Sequence, residues 1–572
     1  MRKQTKLVAV LSTAALLAIG ASMTSFAAQG WAEEDGTWVY YDRNGDRVTE
    51  KWAKSGNNWY WLDDSGEMAI DTLIEDGDNY YYVDINGVMA SNQWVAIENE
   101  DAGEDNEPEQ YWYYFQANGK ALKNNNDSVS LKTINGKKYA FDDEGRMLYG
   151  WVDETGDRKD NTDGDAFKEG IYYFGDENDG AMTVGWLLTD ITYEEATDDA
   201  YKTIAPVFTD DEDQERWFYF KSNGKKVSAD DSDTKEKTIN GKKYAFDQYG
   251  AMVAEWSLDE KKASGNEPAT PGKAVSNKYA QSWRYFNSVE DGARVSKGWF
   301  KVVSAEYLNE EKYDDDEDAW YYADGSGNLY AGQFKTVKGK KYAFRNDGRM
   351  INGLKYIVEG ADNFTQVYAD DENGREFDNE DDFIDNAPDY IKEGAKLYYF
   401  GGGDDGAMRT NKATIEIDGD NYNFYFEKSG SNKGAGKVGE HDDKYYLAGM
   451  LLKAGSDEKY QVIQKDADTT HGEIWTKIAD AKDFLTEVGV VGDDDVTTAK
   501  ITEAKGLYSS FNKGADDLKE LYIVPKADRE SGDYKLINTS GKVVEKKKSK
   551  DGNDYVYVTD SKGSVLFVYV ED

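Results

Sequence analysis

Between residues 31 and 93, short runs of alternating aromatic and polar positions recur, and each run is followed by a turn signal. The first holds Trp31 and then Trp38-Val39-Tyr40-Tyr41, closed by Asp42 to Gly45. The second holds Trp52 and Trp59-Tyr60-Trp61, closed by Asp63 to Gly66, and the third centres on Tyr80-Tyr81-Tyr82, closed by Asp84 to Gly87. The closing glycines are 21 residues apart both times. Period-two alternation in so short a run predicts a strand, and an Asx-x-x-Gly turn before a return segment with Met68 or Met89 predicts a hairpin. One hairpin leaves its aromatic face in water, whereas stacked copies cover each other. The pattern therefore predicts a mainly β fold, a solenoid of tandem β-hairpin repeats.

A longer period follows. Gly136-Lys137-Lys138-Tyr139-Ala140-Phe141 recurs at Gly241 to Phe246 and at Gly339 to Phe344, with aromatic strands in step at Trp112 to Phe115, Trp217 to Phe220 and Trp320 to Tyr322. The expected organisation is regular hairpins over 28–93, super-repeats over 94–182, 183–295 and 296–408, and a partial repeat over 409–452. A divergent, small α+β C-terminal region is expected over 453–572, with helical spacing in 474–488 and 497–521 and strands at 534–537, 555–558 and 565–570. Opening and strand Trp residues stand seven positions apart in the first two hairpins. That gap widens after Trp94, Trp186, Trp256 and Trp299, and the inserted residues are polar and acidic, as in Asp314 to Asp318. Insertions at one point of a repeat are expected as exposed loops, because burying them would strand backbone groups and carboxylates.

Charge and composition narrow the function. A formal charge of -44 repels nucleic acid and anionic lipid and removes the counterion-release term that drives DNA binding. Nucleic acid is excluded as a partner. Arg2, Lys3 and Lys6, the apolar stretch Leu7 to Ala21, and Ser25 and Ala27 read as a secretory signal over 1–27. No later apolar run has the length of a membrane span. With no Cys there is no disulfide and no thiolate site. His441 and His471 lie in no paired-ligand spacing, and no nucleophile-elbow or Walker motif occurs, so a non-enzyme is expected. Acidic clusters such as Asp176 to Asp179 lack the spacing of a calcium loop and read as solvated, with no metal and no cofactor.

The string of opening Trp, short polar gap, Trp-Tyr-Tyr, Asx-x-x-Gly turn and Met resembles the cell wall-binding repeats of choline-binding surface proteins. The Ile134 to Phe141 form looks like the variant in clostridial toxin and glucan-binding repeats. The resemblance implies a secreted protein, extracellular or held non-covalently on a cell wall, that binds teichoic-acid choline or a polysaccharide. In choline-binding members the ligand sits between consecutive hairpins, in a cage of Trp residues from one unit and an aromatic from the next. Carried over, this implies ligand binding at Trp31, Trp38, Trp52 and Trp59, and at the matching positions Trp94, Trp151, Trp186 and Trp299. The third hairpin departs from the pattern with Tyr80, and the Gly-Lys-Lys-Tyr-Ala-Phe units have no Trp. A second reading stays open, a structural or adhesive surface solenoid whose aromatics only build its core.

Overall fold

The computed structural model describes residues 29–104, 106–192, 213–230, 234–368, 377, 379–466, 470 and 472–572. The proposed signal at 1–27, His471 and the acidic stretch 193–212 lie outside them. Strand takes 41% and helix 10% of the described residues, which are therefore mainly β, and most of their strands belong to two-stranded hairpin sheets. The described residues form two units, one within 29–192, 213–229 and 246–252, the other within 230–245 and 253–572.

In the first unit the hairpins form where the alternation places them. Gly30–Glu34 pairs with Thr37–Tyr41, Lys51–Ser55 with Asn58–Leu62, Thr72–Asp76 with Asn79–Val83, and Gln93–Glu98 with Gln110–Phe115, all antiparallel. Val39, Leu62, Val83 and Phe115 are fully buried. The first three of these hairpins leave through the same kind of turn, opened by Asp42, Asp63 and Asp84. The Asp42 carboxylate accepts from the amides of Asn44 and Asp46 at 2.7 and 3.0 Å, and its carbonyl accepts from Gly45 at 3.1 Å. Asp84 does the same for Asn86, Val88 and Gly87. These Asx turns satisfy backbone donors locally and fix the direction of the return segment.

That segment then reaches back to the previous hairpin. The Met68 amide donates to the Trp38 carbonyl at 2.7 Å, Met89 to Trp59 at 2.9 Å, Ala121 to Tyr80 at 2.8 Å and Met147 to Trp112 at 2.7 Å. The same backbone bond recurs in the second unit from Met350 to Trp320 at 2.7 Å. The Met side chain is then held under the next turn. A Cβ on Gly87 would stand 2.9 Å from Met68 Sδ, and Gly87 has φ +72°, so conformation and space both require glycine there. Neighbouring hairpins are thus coupled by this backbone hydrogen bond and, where the residue is Met as at Met68 and Met89, by a thioether contact under the next glycine.

In the second unit the insertions meet the expectation only in part: Asp314 to Asp318 is exposed as expected, but the residues before it and those after Trp256 are not simple surface loops. Residues 259–282 do not lie on the surface as an acidic loop. They form two short helices, Glu260–Ala263 and Asn277–Ala280, and bury Ala263, Val275, Tyr279 and Ala280 over Trp256 and Trp283. The segment after Trp299 likewise buries Ala305 and Leu308 before the helix Glu310–Asp314. Apolar side chains spaced among the polar ones made burial favourable, and the side chains of Asp259, Ser276 and Asn309 cap the helix N-termini that would otherwise carry unsatisfied donors. Farther along, helix Glu380–Lys392 packs Phe383, Ala387 and Tyr390 against Tyr356 of the central strand Leu354–Glu359.

The C-terminal region mixes helices and strands, with strands taking part of the two helical stretches expected there. Trp475–Lys477 is a strand paired with Tyr460–Lys465, and only Ala481–Glu487 is helical in that stretch. Thr498–Leu507 is a helix, but Leu518–Ile523 pairs with Val565–Glu571. Long-range pairing and burial of Leu518, Leu521 and Tyr522 prevail over a local 3.6-residue pattern. Among the described residues no helix is long and apolar enough to cross a membrane.

Candidate functional site

The antiparallel register sets Trp31 opposite Tyr40 and Glu33 opposite Trp38, so Trp31, Trp38 and Tyr40 share one hairpin face. Tyr60 lies between two Trp residues and therefore points the other way, toward the preceding hairpin. Its ring meets Trp31 at 5.2 Å and 72°, while Tyr40 meets Trp31 at 5.3 Å and 71°. The result is a three-ring junction centred on the opening Trp. It recurs as Trp52 with Trp61 and Tyr81 at 5.2 and 5.0 Å, and as Trp94 with Tyr114 and Tyr139 at 5.2 and 4.9 Å. In the second unit Trp299 meets Tyr322 and Tyr342 at 5.0 and 4.8 Å. Edge-to-face geometry at these distances is the favourable arrangement for aromatic quadrupoles, and it leaves ring faces presented sideways.

The strand Trp residues take varied places. Trp59 is 40% exposed, and the Lys54 ammonium lies 5.6 Å from its ring centre. Trp38 is half-buried. Later strand Trp residues join the central ring directly: Trp217 stands 6.0 Å from Trp186, and Trp320 stands 6.3 Å from Trp299. Tyr60, Tyr81, Tyr139, Tyr342, Trp217 and Trp320 belong to the repeat strands in the sequence reading but are not among the ligand contacts it implies. For Tyr60 and Tyr81 the sequence carries a signal, because period two turns the residue between two outward aromatics onto the neighbouring hairpin; Tyr139 and Tyr342 stand between Lys and Ala and carry none of that kind.

Carboxylates tie two of the indoles down. Trp52 Nε1 donates to Asp76 at 3.1 Å, and Trp320 Nε1 donates to Asp404 at 2.9 Å. Burial pushes the Tyr81 hydroxyl up, and the nearby Asp76 carboxylate adds to this; Tyr139 is raised by burial and Asp179 in the same way. The tyrosines therefore stay neutral at physiological pH. Aromatic faces beside acidic side chains attract a cation that needs no hydrogen bond, and they repel anions.

Trp151 differs from the other opening Trp residues. It is 3% exposed, against Tyr173 and Phe218 at 5.1 Å each, and the Lys226 ammonium lies 5.1 Å from its ring centre. Lys226 holds the place that Met68 and Met89 hold in other repeats, its amide donating to the Ile171 carbonyl at 2.8 Å. The chain supplies this junction with its own cation, which also donates to the Phe167 carbonyl.

Burial pushes the Lys226 ammonium down from an ordinary 10.5 to about 7, opposed by the Asp247 carboxylate. Between those values the unfolded chain holds a proton that the folded protein lacks, so this group's contribution to stability rises with pH across the window. Lys226→Met removes the rise. The stability difference, variant minus parent, is expected to fall by more than about 1.4 kcal/mol, the worth of one pKa unit, between pH 7 and pH 10. Denaturant unfolding at several pH values checks this, and a constant difference contradicts it.

Comparison with known proteins places these repeats. Residues 28–73 and 48–94 match the sequence family described as Choline-binding repeat. A curated relative, Glucosyltransferase-S of Streptococcus mutans serotype c, is 27% identical over 374 residues, which is 58% of this chain and 22% of that protein. The chain thus spans about a fifth of the length of the curated relative it matches. Among solved structures, the modular autolysin LytC from Streptococcus pneumoniae, in complex with a synthetic peptidoglycan ligand, is 18% identical. The match covers 63% of this chain and 59% of that one, with a TM-score of 0.29. Choline binding protein F from Streptococcus pneumoniae is 16% identical, covering 75% of this chain and all of that one, with a TM-score of 0.21.

Proposed function

Because residues 28–94 carry choline-binding repeats, we propose that this is an exported, non-catalytic cell-surface protein. Its hairpin junctions take the choline-type quaternary ammonium groups of a cell wall. In this reading residues 1–27 direct export, residues 28–452 form a repeat array stacked as a solenoid, and the partner is a choline-bearing wall polymer such as a teichoic acid. The observation that carries the reading is the recurring junction of an opening Trp with an aromatic of its own hairpin and a tyrosine of the next, seen at Trp31, Trp52, Trp94 and Trp299. What repeats along the chain is an aromatic surface rather than a pair of titratable groups, which favours binding over catalysis.

The magnitudes require more than one site. Contacts of one cation with two or three ring faces contribute on the order of 3 kcal/mol, a dissociation constant in the millimolar range. Retention on a wall then comes from several junctions engaging one polymer, where linked sites raise avidity by about 10² or more. Full-length protein is expected to stay on immobilised choline and to elute with free choline, and to bind less as salt rises because the acidic surroundings are screened. Elution by a neutral glucan but not by choline would favour the polysaccharide reading, for which exposed Trp59 offers a stacking face. Failure to bind either matrix would leave the structural or adhesive surface reading.

A further inference from the structure

Within the second unit a cavity of about 260 Å³ opens where four segments meet. One wall is the insertion after Trp256, a second the insertion after Trp299, a third the turn after Lys340–Phe344, and the fourth the strand Phe364–Tyr368. The walls hold one another. The Gly272 amide donates to the Tyr307 carbonyl at 3.0 Å, and the Gly272 carbonyl accepts from the Glu310 amide at 3.2 Å. Asn309 Nδ2 donates to Asp347 Oδ2 at 2.8 Å, and Asn346 Nδ2 donates to the Phe364 carbonyl at 3.1 Å. Gly272 has φ +72°, and a Cβ there would stand 2.5 Å from the Glu306 carbonyl oxygen, so glycine lets the two insertions approach. Walls tied in this way form a site before any ligand arrives, which lowers the cost of binding. The regular hairpins over 30–83 join their strands through two residues each and have no chain from which to build such walls.

The lining decides what kind of molecule fits. Its aromatic residue, Phe364, is buried, with its ring meeting Phe334 at 5.0 Å and 70°, so no open ring face is offered to a quaternary ammonium. Arg345 and Asp347 set one charge of each sign at the wall. Burial acts to raise the Asp347 carboxyl, but the Arg349 guanidinium at 2.7 Å and the Arg349 amide outweigh it and hold the group below its ordinary range. Asp347 therefore stays an anion and disfavours an anionic occupant, as Arg345 disfavours a cationic one. The other polar side chains include three amides, Asn309, Asn346 and Gln366. Each amide carries both donors and an acceptor. Asn346 Oδ1 is buried and accepts no hydrogen bond, and the Gln366 side chain makes none among the described residues. Val275 and Leu308 supply an apolar side.

Going beyond the choline reading and independently of it, we propose that this insertion-built cavity, away from the aromatic junctions, binds one neutral sugar ring. Sugar hydroxyls donate and accept at once and so match the amides on both counts, while the C–H face of the ring meets the side formed by Val275 and Leu308. Phosphate and carboxylate groups only accept, and would set negative charge against the amide carbonyls and Asp347. The volume lies just below the roughly 300–1,000 Å³ usual for small-molecule pockets, so a single ring enters and a longer oligosaccharide does not enter whole.

The test is calorimetric titration of the full chain with glucose, with N-acetylglucosamine and with glucuronate, each in the absence and presence of about 100 mM choline. One site with a dissociation constant in the millimolar range is expected for at least one of the two neutral sugars, unchanged by choline. Glucuronate is expected to bind that site at least about tenfold more weakly. Gln366→Ala should weaken it about tenfold, and Gln366→Glu, which keeps the shape and adds a carboxylate to the wall, should weaken it further. Neither change should move the melting temperature, because the Gln366 side chain holds no internal hydrogen bond. The proposal is overturned by absence of binding of both neutral sugars up to about 100 mM, by glucuronate binding as tightly as they do, or by affinity that survives both variants. Loss of sugar binding under choline overturns it as well and places the sugar at an aromatic junction, leaving the choline reading intact. A loss of affinity accompanied by a lowered melting temperature in both variants would assign Gln366 to the packing of the fold and also overturn its place in the site.

Discussion

Replacing Trp283 by alanine is expected to lower stability by about 4 kcal/mol and to leave the number of choline sites unchanged. Trp283 stands at the strand Trp position of its repeat, the same position as Trp38 and Trp59. It is nevertheless fully buried, in a cluster with Trp256, Tyr279, Ala280 and Leu258. The helices of residues 259–282 cover it, and the Tyr279 ring meets it at 6.3 Å. Truncation removes a large transfer term and leaves a cavity that two short, capped helices cannot close. Denaturant unfolding gives the stability change, and calorimetric titration with choline gives the site count. A loss of one binding site with little change in stability would mean that this junction is open to ligand, contrary to its packing.

The opposite outcome is expected at the start of the array. Changing Trp38 and Trp59 together to alanine should weaken each of the first two junctions about tenfold, from loss of roughly 1–2 kcal/mol of ring contact with a cation. Over linked sites the two losses multiply, so retention on immobilised choline should fall by about 100-fold. Stability should change by less than about 1 kcal/mol, because Trp59 is 40% exposed and Trp38 half-buried. Undiminished retention would count against these indoles as ligand contacts, and a large drop in melting temperature would assign them to the core instead.

These two results separate residues that the sequence alone does not distinguish. The hairpins were legible because their determinants are local: period-two aromatics, Asx turns and a glycine every 21 residues each fix one short piece of chain. The central rings were legible for the same reason, since the register sets Trp31, Trp52, Trp94 and Trp299 opposite Tyr40, Trp61, Tyr114 and Tyr322. What covers a ring depends on contacts far along the chain. The 259–282 insertion reads as polar, yet a few residues, Ala263, Val275, Tyr279 and Ala280, suffice to seal the junction at Trp256. At Trp151 a single lysine in a methionine position fills the junction from 75 residues away in sequence. The strand Leu518–Ile523 was read as helix because its partner, Val565–Glu571, lies too distant for a local pattern to reveal.

The most direct test of the central claim is calorimetric titration of the intact protein with choline, with tryptophan fluorescence read on the same samples. Saturable binding in the millimolar range is expected at several sites. The fluorescence change should be reduced by Trp59→Ala and left unaltered by Trp151→Phe, whose ring already faces Lys226. Absence of both heat and fluorescence change at choline concentrations up to about 100 mM, well beyond the affinity that ring contacts supply, would contradict the claim that these junctions bind a quaternary ammonium.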